Sequence, residues 1–330
     1  MTQPLNYSVK ASADLISAPA PGAPLTRSAM RYLADKLKSA EVFQLPDGGQ
    51  LLDREKTPPE VPGLMFRPPF PVIACEYPVA RPHRIDHYYT VASSSRRIAL
   101  AWDWNPDDLP AHLKRVPGIL ALPPGVCVTS IFYLDSAKLW GCAAGAVHMA
   151  YDGAWLDVAE HLPRSRFMST MLANGRLAKD IMKGRGMEST FLPLCPEYLM
   201  AYRASEASMA GAVDTARADI NDEAVAYTDL CYALACKNVS TERISASATL
   251  NISRARSGKP PFKDFHILKV GGDACASNSL GTGEGAGPRT HLRRGHIRRL
   301  GEGRLTWVSQ TMVHGRKDFV RKAYAVGGTK

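Results

Sequence analysis

Long hydrophobic runs are absent from this 330-residue chain. None reaches the ~18–20 apolar residues that a membrane-crossing helix requires. The longest candidate, Ala143 to Ala150, is broken by Gly145 and interrupted by His148. The opening MTQPLNYSVKASADLI has no basic segment followed by an apolar one, so the expectation is a cytoplasmic protein that engages no membrane. Cysteine is sparse: seven residues, none in a CxxC pair, which reads as reduced and mostly buried thiols.

The usual catalytic signatures are missing as well. There is no GxSxG elbow and no HExxH pair. The glycines of GTGEGAG at 281–287 follow the polar CASNSL and precede Pro288-Arg289, whereas a dinucleotide fingerprint needs a buried strand before it and a helix after it, so the segment reads as a flexible loop. Ser257-Gly258-Lys259 lacks the other residues of a phosphate-binding loop. Cys231 and Cys236 are five apart and read as core residues. His83 and His87 have a ligand-like spacing, but Pro82 and the neighbouring Arg81 and Arg84 argue against a formed helix and the HExxH glutamate is absent. No metal and no cofactor is expected.

What is present is a globular composition, 45% hydrophobic and 22% charged, which excludes a disordered, collagenous or coiled-coil chain. The first 26 residues, rich in Ala, Pro and Ser, read as poorly ordered. Thr26 is placed as the cap of a helix from about Arg27 to Ala40, with Met30, Leu33, Leu37 and Ala40 on one face. Prolines 46, 58, 59, 62, 68, 69 and 71 exclude regular helix from the connector that follows. Short apolar runs at Val72 to Tyr77, Arg97 to Trp104, Val126 to Tyr133 and Lys138 to Val147 predict a hairpin or meander sheet.

Helical composition takes over at 165–187 and 200–218. A clearer helix runs from Asp222 to about Cys236, with Asn221 as N-cap and Tyr227, Cys231, Leu234 and Ala235 along one face. A basic polar connector leads to a strand at Phe265 to Val270, and further strands are predicted at Leu305 to Val313 and Phe319 to Val326. The expected fold is α+β: a mixed or antiparallel sheet, a helical middle and a basic C-terminal β unit. The corresponding regions are 1–165, 166–240 and 241–330.

Charge is segregated. Residues 289–330 carry eleven Lys and Arg against Glu302 and Asp318, so this tail supplies +9 of the net +10. Such concentration predicts a surface for a polyanion, of which nucleic acid is the commonest. Within it stands PRTHLRRGHIRRL, with five arginines and two histidines in eleven residues. Arginine forks donate paired hydrogen bonds to phosphate. Two imidazoles near neutral pKa also suit metal-independent cleavage of RNA, one taking the 2′-hydroxyl proton and one protonating the leaving oxygen.

PRTHLRRGHIRRL, a short glycine turn, TWV and then MV together resemble the C-terminal signature of a family of phage and mobile-element proteins that includes a type V-A anti-CRISPR protein. Cys231 to Val270 is similar too, with a helix ending LACKNV, a basic connector carrying GKPP and a strand. The similarity spans roughly residues 225–326. It implies an anti-defence protein that suppresses production of a CRISPR effector nuclease, recognising its nascent peptide and promoting loss of its messenger RNA. His291, Arg293, Arg294, Gly295, His296 and Arg298 match the family core.

Three readings follow. In the first, the N-terminal region recognises a peptide while Arg289, Arg293, Arg294, Gly295, Arg298, Arg299, Arg304 and Trp307 contact RNA or a ribosome-associated complex. In the second, His291 and His296 are the catalytic residues of a metal-independent endoribonuclease. In the third, the basic tail docks on an acidic protein surface.

Overall fold

The computed structural model describes residues 4–18, 20, 22–52, 60–80, 94–157, 185–270, 291–293, 296–299, 304–308 and 311–313. The architecture is α+β, as expected. Strands β1 (Glu41–Gln44), β2 (Val72–Pro78), β3 (Arg96–Asp103), β4 (Gly125–Leu134), β5 (Leu139–Cys142) and β6 (Ala146–Ala150) enter one sheet, joined by β9 (Thr190–Leu192), β10 (Val239–Ile244) and β11 (Phe265–Val270). Its order is β10-β11-β1-β2-β3-β4-β6-β9, and β5 lies beside β6 along the same edge of the ten-residue β4. β1 runs parallel to both β2 and β11, and the other pairings are antiparallel. A separate short pair joins β7 (Trp155–Asp157) to β8 (Arg185–Met187).

The central strands are buried on both sides, which is why they read as continuous apolar runs. Alternation still sorts their residues. Ala74, Ile98, Leu100, Trp102, Cys127 and Ile131 face helices α1 (Tyr7–Ser17) and α2 (Pro24–Ser39). Ile73, Cys75, Tyr77, Ala99, Ala101, Val126 and Val128 face the opposite way, onto Ala226, Tyr227, Leu230 and Cys231 of a 14-residue helix spanning Asn221–Leu234. Before that helix come α3 (Pro196–Ser205) and α4 (Met209–Ala218), and the helix itself is α5. A sixth, α6 (Ala248–Arg256), connects β10 to β11. No helix among the described residues is long and apolar enough to cross a membrane.

Helix ends are where the sequence reading departs most from the structure. Residues 7–17, expected to be poorly ordered, form α1, with Ala11 and Leu15 buried one turn apart. Its first amides have no local cap. The N–H groups of Tyr7 and Ser8 and the Ser8 hydroxyl instead donate to the fully buried carboxylate of Glu76 on β2, at 3.0, 2.7 and 2.6 Å. α2 begins at Pro24, earlier than expected, and Thr26 lies inside it rather than capping it. Glu197 of α3 supplies that cap, accepting from Leu25 N, Thr26 N and Thr26 Oγ1 at 3.0, 2.9 and 2.6 Å. At the other end of α2, the Lys263 ammonium donates to the carbonyls of Leu37, Lys38 and Ala40 at 2.7–2.9 Å.

α5 also lacks the expected cap. Ile220 takes that position and Asn221 is the first helical residue, with no side-chain cap bond. Glu223 in its first turn is fully buried, accepting from the Tyr77 hydroxyl at 2.9 Å and pairing with Arg97 at 3.2 Å. Ala235 is exposed and does not share the buried face with Tyr227 and Cys231. The region predicted helical at 200–218 is two helices, broken at Glu206, with Ser208 capping the second by accepting from Gly211 N. The run Lys138 to Val147 is likewise two strands, and the connector read as polar coil contains β10 and α6. Most of 165–187, all of the loop 271–287 and all of Phe319 to Val326 lie outside the described residues.

Burial raises the Glu76 pKa, opposed by its hydrogen bonds from Ser8 and Tyr7 and by the nearby Lys263. Glu76→Ala should destabilise the fold by about 3 kcal/mol, because two buried amides and a hydroxyl lose their acceptor. Urea unfolding measures this, and faster amide exchange across 7–17 should accompany it.

Burial, only partly offset by Arg97, also raises Glu223, to about 7. Native protein therefore holds this proton more tightly than unfolded chain, and stability falls as pH rises from the ordinary carboxyl range through 7. The loss should approach about 3 kcal/mol. Urea midpoints between pH 5 and 8 should show a flatter profile in Glu223→Gln, and equal slopes in the two proteins would contradict the assignment.

Candidate nucleic-acid interface

α5 ends against the basic tail. Its last turn presents Cys236, which bridges Leu305, while the Lys237 amide donates to the Leu305 carbonyl at 3.2 Å. Asn238 completes the attachment. Its Nδ2 donates to the Trp307 carbonyl at 2.8 Å, and its Oδ1 accepts from Trp307 N at 2.8 Å and Thr306 Oγ1 at 3.2 Å. A primary amide offers one donor group and one acceptor, so it satisfies both backbone groups of Trp307 as a neighbouring strand would.

The strand held this way is β14 (Leu305–Val308), and it pairs antiparallel with β13 (His296–Arg299). β12 (His291–Arg293) pairs with β15 (Thr311–Val313). Each is a separate two-stranded pairing.

The β13–β14 hairpin is amphipathic. Leu305 and Trp307 are buried and Ile297, paired with Trp307, is half-buried against the same core cluster. Arg298, Arg299 and Arg304 are exposed. The register places Arg298 opposite Thr306, on the face away from Leu305 and Trp307, whereas Arg299 pairs with Leu305 at the end of β13, on the Ile297 side. Arg304 immediately precedes β14. The exposed guanidiniums are planar, permanently charged donors able to hold phosphates. Trp307, grouped with the arginines on sequence grounds, needs correction. Its ring is 8% exposed, so it anchors the hairpin and is not free to stack on a base.

His291 is the first residue of β12 and His296 the first of β13. Arg293 occupies a strand position, while Arg289, Arg294 and Gly295 lie outside the described residues, as do His83 and His87.

The cysteines below the hairpin are not reactive groups. Burial pushes the Cys231 and Cys236 thiols up to about 12, and the Cys236 thiol donates to the Tyr232 carbonyl. Among the described residues, no three His, Cys, Asp or Glu side chains converge on a point able to hold a metal ion. The residue that sequence reasoning missed is Asn238. Its role depends on a partner 69 residues away, so no local pattern reveals it.

No protein-family model, no curated protein and no solved structure matches this chain.

Asn238→Ala should release β14 from α5. The expected cost is about 2 kcal/mol, since both buried backbone groups of Trp307 lose partners. Hydrogen exchange should show faster exchange at 305–308 and unchanged protection in β2–β4. Uniform loss of protection instead would mean that Asn238 supports the whole core.

Proposed function

We propose that this protein binds RNA, or an RNA-rich assembly such as the ribosome, through the exposed arginines of its C-terminal hairpin. The observation that carries the reading is the exposure of Arg298, Arg299 and Arg304 on a hairpin pinned from behind by Leu305, Trp307 and Asn238. Nearly all the net charge resides in the segment that contains it. A fixed scaffold carrying mobile cations suits a phosphate backbone, whose charge repeats regularly and whose counterions are released on binding.

The resemblance of PRTHLRRGHIRRL extends the proposal to biology. On it, the protein is a phage-type anti-defence factor acting in the cytoplasm of a bacterial host. It recognises the nascent peptide of a CRISPR effector nuclease, contacts RNA or ribosome nearby, and promotes loss of the encoding messenger RNA.

Replacing Arg298, Arg299 and Arg304 together by Ala should leave the thermal transition unchanged and weaken binding to fluorescein-labelled RNA. The slope of log K against log salt should become shallower by about 2, at 0.7–0.9 per lost phosphate contact. Binding with no salt dependence would favour a protein-only module, and EDTA-insensitive cleavage lost in His296→Ala would favour the ribonuclease. In cells, expression beside a CRISPR nuclease gene should lower both its transcript and its protein. Unchanged levels of both would sink the anti-defence reading.

A further inference from the structure

A second basic element stands on the same edge of the sheet. From Arg243 to Lys263 the chain carries five cations and no acid (Arg243, Arg254, Arg256, Lys259 and Lys263). Three of these have partners in the fold: Arg243 pairs with Asp264 at 3.1 Å, Lys263 caps α2, and Arg254 holds the segment that follows α6. Arg256 and Lys259 remain, at the C-terminal end of α6 and just beyond it.

α6 buries none of its residues, yet a dedicated clamp holds it. The Asn251 side chain accepts from Phe262 N at 2.7 Å and donates to Phe262 O at 3.1 Å. The Arg254 guanidinium lies 3.9 Å over the Phe262 ring and donates to the Pro260 carbonyl at 2.7 Å. A nine-residue helix is marginal by itself. Here its return segment is tied to its middle, so the helix is organised without packing on the core.

Such an element presents a surface, and its residues say which kind of partner fits. The exposed Leu250 and Ile252 are two residues apart, about 200° around the helix, so they form no apolar stripe for a protein groove to bury. Arg256 and Lys259 are exposed, and the same segment carries Ser247, Thr249, Ser253 and Ser257. Cations and small hydroxyls without acids match phosphate and sugar oxygens.

We infer that α6, through Arg256 and Lys259, is a second phosphate-contacting site that engages the same RNA as the hairpin. This rests on the RNA-binding reading above. The hairpin is attached at Asn238, immediately before β10, and α6 follows the end of β10, a strand about 17 Å long, so the two elements are tied to opposite ends of one strand. Two clusters so spaced grip a duplex at separated phosphates, and their contributions to the salt slope add.

The test uses the full-length protein and a fluorescein-labelled RNA duplex of about 20 base pairs, long enough to span both clusters. Arg256→Gln with Lys259→Gln should weaken binding on the order of tenfold at fixed salt and make the log–log slope shallower by about 1.5. Arg254 stays unchanged because it holds the clamp, and an unaltered thermal transition shows that the helix persists. Leu250→Ser with Ile252→Ser should leave binding unchanged. Full affinity and full slope in the Arg256/Lys259 variant, alongside weakened binding in the hairpin variant, would overturn this inference and leave the RNA-binding reading standing. A loss of RNA binding confined to the Leu250/Ile252 variant would place the contact on the apolar side chains rather than the cations and overturn it too. No binding of the duplex by wild-type protein would remove the reading beneath both.

Discussion

A single buried carboxylate ties the first helix of this protein to the middle of its sheet. Glu76 stands on β2 without access to water and takes three hydrogen bonds from the opening turn of α1. Removing a carboxylate from water costs several kcal/mol, and three short bonds to a helix N-terminus are among the few arrangements that offset it. The same device recurs around α2, where Glu197 supplies the N-terminal acceptors and Lys263 the C-terminal donor. Lys263 immediately precedes β11, so closing α2 also fixes the edge of the sheet that leads to the basic tail. Covering one face and placing that edge are therefore one constraint.

The opposite face is fixed in a different way. α5 lies over β2, β3 and β4 by apolar contact, and Glu223 meets Tyr77 and Arg97 at its first turn. That buried pair sets the rotation of the helix, because Glu223 satisfies both partners in one orientation only. Rotation in turn determines where the last turn points, and Cys236 to Asn238 receive β14 there. The position of the exposed arginines thus descends from a pair of strands through one helix to one asparagine.

The parts of this fold legible in sequence are those decided by neighbours in sequence. Runs such as Val126 to Tyr133 are too apolar and too β-branched to be anything but interior strand, and the helical spacing of Met30, Leu33 and Leu37 marks a core-facing helix. The parts misread are those decided at a distance. The Ala-, Pro- and Ser-rich composition of the first 26 residues reads as poor order, and α1 has neither a capping residue nor an acidic first turn to signal a helix; both functions fall to Glu76, 68 residues away. Thr26 looked like a cap because its hydroxyl does accept that kind of role elsewhere, yet here it donates to Glu197. β1 is four residues long and carries no periodicity that distinguishes it from loop. The arginine cluster was evident from charge alone, but not which members are exposed or that Trp307 lies beneath them.

That burial of Trp307 explains how so short an element presents its cations. A two-stranded hairpin is at best marginally stable in water, and one bearing several arginines repels itself. Left free, it would lose its order in solution and spend binding energy on regaining it. Here Ile297, Leu305 and Trp307 share the core of the sheet and Asn238 completes the β14 backbone, so ordering is settled on folding. Only side-chain freedom remains to be lost when a phosphate arrives. Strand alternation sends Ile297, Leu305 and Trp307 to the face that holds the hairpin in place and Arg298 to the face left to meet an anion, while Arg299 is exposed at the strand's end.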